Sequence, residues 1–439
     1  MNKLKLASLG IQHVLAMYAG AVIVPLIVGG ALGLTQEQLT FLVSVDILMC
    51  GIATILQVWS NRFFGIGLPI VLGCSFTAVG PMIAIGSQYG ITSIYGAIIA
   101  SGLFVVLIST FFGKLAKFFP PVVTGSVVMI IGITLIPVAM NNAAGGQGAP
   151  DFGALDNIAL AFGTLLFIIV LYKFFNGFIR SISILLGLVA GTAASYIMGK
   201  VDFTAVADAS WLQLATPFYF GMPTFNLTAI ITMILVAIVS LVESTGVYYA
   251  LGDICEEEVS EEKLSKGYRA EGLAIMLGGI FNAFPYTTYS QNVGVLQLSG
   301  VKSKNVIYTM ACMLIIIGFV PKIGALTTII PSAVLGGAMI AMFGMVMAYG
   351  IKMLSSVDFS SQENLLTIAC SVGMGLGVTA VPDLFSKMPE SIQILTDNGI
   401  VAGSLTAIAL NIIFNVIPSK EKIAANTAAG TRVKLREIR

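Results

Sequence analysis

FPYTTYSQNVGVLQLSG, residues 284–300, lies between long apolar runs but does not have the pattern of a membrane helix. Pro285, Gly294 and a row of six polar-capable side chains from Thr287 to Asn292 interrupt it. Residues 67–81, GLPIVLGCSFTAVGP, are broken in the same way. Irregular backbone at membrane depth survives only when it is buried in protein or lines a cavity. Two such segments in one apolar chain therefore mark an interior site.

The surroundings support a membrane setting. Hydrophobic residues make up 57% of the chain and charged residues 10%, where a soluble domain carries about 25% charged. About fourteen apolar spans are expected between residues 8 and 417, the third near 67–86 and the tenth near 285–299. The first run is long and lacks a cleavage pattern, so no removable signal is expected there. A net charge of +1 suggests no nucleic-acid partner. The five cysteines show no CxxC spacing, so neither a metal site nor a disulfide scaffold is expected.

Charge placement gives the topology. With fourteen spans and a cytoplasmic N-terminus, nineteen of the 22 Lys and Arg fall on the cytoplasmic side. Only Lys200, Lys322 and Lys387 fall outside. One missed span would scramble that bias downstream. The acidic loop 252–267 then divides the chain into two sets of seven spans. An odd number per half inverts the second half relative to the first. The broken third and tenth spans occupy matching positions. PPVVTGSVVMIIG from Pro120 resembles PSAVLGGAMIAMFG from Pro331, with Gly125 and Gly336 equally spaced from the prolines. Broken helices at matching positions of inverted halves point to a transporter's midplane site.

Few ionisable residues lie inside these spans, and each is a functional candidate because charge there is expensive. Glu243, in AIVSLVESTG, is the clearest: a lone carboxylate in apolar surroundings can hold a proton. Glu271 opens the ninth span and is either functional or interfacial, paired with Arg269 or Lys266. Asp46 serves either transport or the backbone of a broken span. His13, the lone histidine, reads first as a helix-to-helix hydrogen-bonding group, although it can also titrate. Gln291 carries a donor and an acceptor side by side, which suits adjacent C=O and N–H groups of a nucleobase. Phe76 and Tyr289, in the two broken spans, could sandwich a flat ring or simply pack.

Gln291 to Gly300 resembles the signature of the nucleobase–ascorbate transporter family, nucleobase:cation symporter family 2. That signature runs Gln, Glu or Pro, then Asn, any residue, Gly, four residues, Thr, and Arg, Lys or Gly. Ser299 replaces the Thr and keeps the hydroxyl. Gln12–His13 and VEST around Glu243 resemble further motifs of the family, and the likeness extends over about residues 8–417.

The resemblance implies an all-α polytopic fold of about fourteen spans in two inverted seven-span repeats, with short β-strands in spans 3 and 10. A core domain would comprise residues 1–117 and 224–326, and a gate domain residues 118–223 and 327–418. Residues 419–439 would be a cytoplasmic tail. Substrate is expected at Glu243, Gln291, Phe76, Tyr289, Ser75, Ser290 and Asn292, and proton coupling at Glu243, Glu271 or His13. Gln291 and Val247 stand where purine rather than uracil carriers place them. The implied function is xanthine uptake by proton symport through elevator-type alternating access, in a homodimer of the plasma membrane with both termini cytoplasmic. Urate, a broader purine set, uracil, sodium coupling and passive entry are the alternatives. No cofactor is implied beyond the coupling proton, and the absence of HExxH, a serine elbow or a paired-Asp motif leaves no enzyme expected.

Overall fold

The computed structural model describes residues 2–115, 119–388, 393 and 398–417. The tail expected at 419–439 and the boundary at 117 lie outside the described residues. The first half contains α1 (Lys3–Ala31), α2 (Gln36–Val58), β1 (Leu72–Cys74), α3 (Val79–Tyr89) and α4 (Ile91–Leu115). It continues through α5 (Pro121–Ala143), α6 (Leu155–Phe174) and α7 (Ser183–Ile197). The second half has α8 (Leu227–Cys255), α9 (Glu261–Ile280), β2 (Tyr286–Thr288), α10 (Ser290–Ser299) and α11 (Lys304–Gly318). It ends with α12 (Ser332–Leu354), α13 (Gln362–Ala380) and α14 (Gly399–Asn411).

Among the described residues, eight helices are long and apolar enough to cross a membrane: α1, α2, α4, α5, α6, α8, α12 and α13. A ninth forms if α11 is joined to Pro321–Thr328, which bends away by 81°. The remainder fall short for visible reasons. α9 carries Glu261, Glu262, Lys263, Lys266, Arg269 and Glu271 in its first eleven residues. α3 and α10 are half-length because each follows a strand, and α7 and α14 are short apolar helices.

Small residues let the long helices close on one another. α9 packs along α4, where a Cβ on Gly102 would stand 2.6 Å from the Met276 nitrogen and one on Gly272 2.8 Å from the Val106 nitrogen. α12 lies against α5, where a Cβ on Gly132 would stand 2.5 Å from the Met347 nitrogen. α11 packs along α2, and α13 along α14. The two strands pair antiparallel with Leu72 opposite Thr288, Gly73 opposite Thr287 and Cys74 opposite Tyr286.

Candidate substrate site

The strand pair holds the site's backbone without exposing it. Ser75 donates its N–H to the Pro285 carbonyl at 2.8 Å, and Tyr289 donates to the Val71 carbonyl at 2.9 Å. Neighbouring helices secure each strand. The Thr54 hydroxyl oxygen accepts the Leu72 N–H at 3.1 Å. Asp46, fully buried, accepts from the Tyr286 hydroxyl at 3.0 Å and from the Phe284 N–H at 3.4 Å. Of the two readings of Asp46, the bonds made are those of a support for the β2 backbone.

Each strand feeds a helix. After β1, Ser75 begins a 3₁₀ turn over Phe76–Ala78 that runs into α3. After β2, Ser290 starts α10 directly. The first N–H groups of such a helix have no partner within the helix and can serve a ligand. Gln291 lies in that first turn, and its side chain is outside the described residues. Ser290 lines a cavity of about 330 Å³ with Glu243, Val247 and Gly246 of α8. Glu243 is a half-buried residue at this cavity, and its carboxyl group lies beside the Thr77 hydroxyl. Thr77 is itself buried. The cavity runs along α8 from Glu243 to Asp253, where Lys352 and Ser356 also line it.

The remaining expected residues surround this centre in support. Ser75, buried, shares a 3.2 Å hydrogen bond with Ser240, one turn before Glu243. Asn292 points its amide nitrogen at the His13 ring nitrogen Nδ1 and at the His13 carbonyl, both at 3.2 Å. His13 thereby ties α1 to α10, as the helix-to-helix reading of a lone membrane histidine anticipates. Asn292 is likewise engaged with α1 rather than set along the cavity wall.

Two expectations change. Glu271 is not interfacial: it is fully buried, accepting from the Tyr248 hydroxyl and from the Ser244 hydroxyl at 3.1 Å. Lys266 pairs instead with Glu262, and Arg269 bonds the Phe63 carbonyl. Phe76 and Tyr289 leave no slot for a sandwiched ring. Their centroids are 6.2 Å apart at 66°, edge to face, and Phe76 also meets Phe343 at 5.6 Å and 82°. Tyr289 is held in that pose by packing over Gly73 and by donating to the Cys74 carbonyl at 3.3 Å.

Sequence reasoning missed a buried polar chain. Gln57 bonds the Tyr248 hydroxyl, Tyr248 bonds Glu271, and Ser244 joins Glu271 to the Thr287 hydroxyl of β2 at 3.1 Å. The signal was Tyr248 four residues after Ser244, on one face of α8.

The model of the Permease family (Xan_ur_permease) matches residues 4–384. The chain belongs to this family, the nucleobase–ascorbate transporters. It is a permease of several membrane-crossing helices, not an enzyme. Among the family's curated members, the "Xanthine permease" of Bacillus subtilis (strain 168) is 67% identical over 419 residues, 95% of this chain and 96% of that one. The "Uric acid permease PucK" of the same organism is 67% identical over 413 residues, 94% and 96% of the two chains. The permease fold extends beyond the family. The transmembrane domain of the cyanobacterial bicarbonate transporter BicA matches with a TM-score of 0.61 at 16% identity, covering 94% of this chain and 98% of that one.

Proposed function

We propose that this permease carries an oxopurine, xanthine or urate, into the cell by proton symport. The observation that carries the proposal is a carboxyl group and a helix start at one cavity: Glu243, with the Thr77 hydroxyl beside it, and the first turn of α10 at Ser290. An oxopurine edge alternates ring N–H and C=O. A carboxylate accepts from the first, and amide N–H groups donate to the second. Relatives named as xanthine and uric acid permeases, at equal identity, support both substrates. Val247 keeps the position one turn after Glu243 free of a titrating side chain, which favours purines over uracil within the family resemblance.

Proton coupling follows from the cost of charge. Moving a bare carboxylate through the bilayer core costs at least ~2.5–3.5 kcal/mol, so a Glu243 that travels protonated can supply the coupled ion. No other cofactor is needed. The movement we propose is elevator-like, with residues 1–117 and 224–326 as the core and 118–223 and 327–418 as the gate. Fourteen crossings in two inverted halves, a homodimer in the plasma membrane and cytoplasmic termini complete the reading. Mirrored packing supports the inversion: α2 meets α11 as α9 meets α4, while β1 pairs with β2 and α5 with α12.

The test is uptake of labelled xanthine and urate into proteoliposomes, with pH and sodium gradients imposed separately. Accumulation driven by the pH gradient and abolished by an uncoupler is expected. Accumulation driven by sodium alone, or none of either purine, overturns it.

A further inference from the structure

The cavity that holds Glu243 is longer than one base requires. Glu243 and Asp253 both line it, and ten residues of α8 separate them, ~15 Å at the helical rise. A flat bicyclic base bonded at Glu243 leaves the Asp253 end free. That end has recognition groups of its own. Asp253 comes from α8 and Lys352 from α12, and neither forms an ion pair among the described residues. Gln297 of α10 and Tyr349 of α12, three residues before Lys352, line the same cavity. Both also line an adjoining cavity of about 470 Å³, so they face open space on two sides.

We propose that Asp253, Lys352, Gln297 and Tyr349 form a second oxopurine site at the mouth of this cavity, distinct from the one at Glu243. The chemistry matches an oxopurine edge. Asp253 accepts from a ring N–H, Lys352 donates to a C=O, and the Gln297 amide does either. The half-buried Tyr349 ring offers a stacking face. The opposite charges of Asp253 and Lys352 balance, so the mouth does not repel a neutral base. A base leaving Glu243 meets this second set of partners before it reaches water. The inference rests on the purine reading above.

Equilibrium dialysis of the purified permease against labelled xanthine separates the cases. Two molecules per chain are expected at saturation, the second bound more weakly. Asp253→Asn combined with Lys352→Met should remove the weaker molecule, and Gln297→Ala should weaken it by about two- to tenfold, the loss of one hydrogen-bond partner. Glu243→Ala should remove the tight molecule and leave the weak one. One molecule per wild-type chain overturns the second site and leaves the purine reading intact. So does a second molecule that survives the double variant, or one lost with Glu243→Ala. Absence of any xanthine or urate binding to the wild type overturns both readings.

Discussion

Glu243 and Glu271 are near neighbours in space with opposite surroundings. Glu271 is enclosed and bonded on both oxygens, by Tyr248 and Ser244. Glu243 faces a cavity, with the Thr77 hydroxyl beside it. On the proposed reading, the carboxyl group with free capacity is the one that would exchange both substrate and proton. Glu243→Gln keeps the shape and some hydrogen bonding but holds no exchangeable acid proton. It should abolish pH-driven xanthine accumulation while retaining some exchange across the membrane. If Glu243→Gln vesicles still concentrate xanthine with unchanged pH dependence, the proton travels elsewhere, by Glu271 or His13. Gln291→Ala should weaken xanthine competition about ten- to a hundred-fold, the ~1–3 kcal/mol of leaving a bound base's polar group unpaired. Unchanged competition curves would remove Gln291 from the site. Glu243 was legible because apolar sequence precedes it. The setting of Glu271 was not, because Lys266 and Arg269 lie beside it in the chain, whereas its partners come from another helix.

At the scale of the element, the broken spans were visible as interruptions, since Gly, Pro and hydroxyl residues do not build a membrane helix. Their pairing with each other was not visible, because strand register depends on contacts hundreds of residues apart. Nor was the ring geometry: Tyr289 is held flat over Gly73 by its bond to the Cys74 carbonyl, which fixes its angle to Phe76. Gly73 is thus a glycine by necessity, for any Cβ there runs into the Tyr289 ring. Gly73→Ala should displace that ring, costing ~1–3 kcal/mol as overpacking does, and reduce xanthine affinity about tenfold or more. Gly344→Ala, where nothing lies within 4 Å, is the matched control. Unfolding followed by intrinsic fluorescence, with substrate binding on the same samples, reads both effects. Equal behaviour of the two variants would mean that the β1 contact does not shape the site.

Over the whole molecule, the inverted arrangement proposed above has supporting packing that the sequence only hints at. Gly125 meets Leu354 across the α5–α12 contact, and Gly336 meets Ala143. Leu354 follows Ala143 in the chain by the same interval that separates Gly336 from Gly125. The two contacts exchange equivalent positions, as the proposed two-fold relation between halves would require. The weak link in the topology is α7. Its fifteen residues reach only ~22 Å, less than the ~30 Å hydrocarbon core, and hydropathy alone leaves its crossing open. The chain between Ala144 and Ser260 contains α6, α7 and α8, so three crossings place these residues on opposite faces and two crossings place them on one. The experiment replaces the five free cysteines, of which Cys312 and Cys370 are exposed, and introduces Ala144→Cys or Ser260→Cys singly. An impermeant thiol reagent applied to intact cells should label position 144 and reach position 260 only after the membrane is opened. Ser260 caps α9 by accepting the Lys263 N–H, so that variant gives up ~0.5–2 kcal/mol of helix stability, a loss that leaves its side of the membrane unchanged. Labelling of both positions from one side would mean that α7 does not cross, and with an even number of crossings between them the two halves could not be inverted.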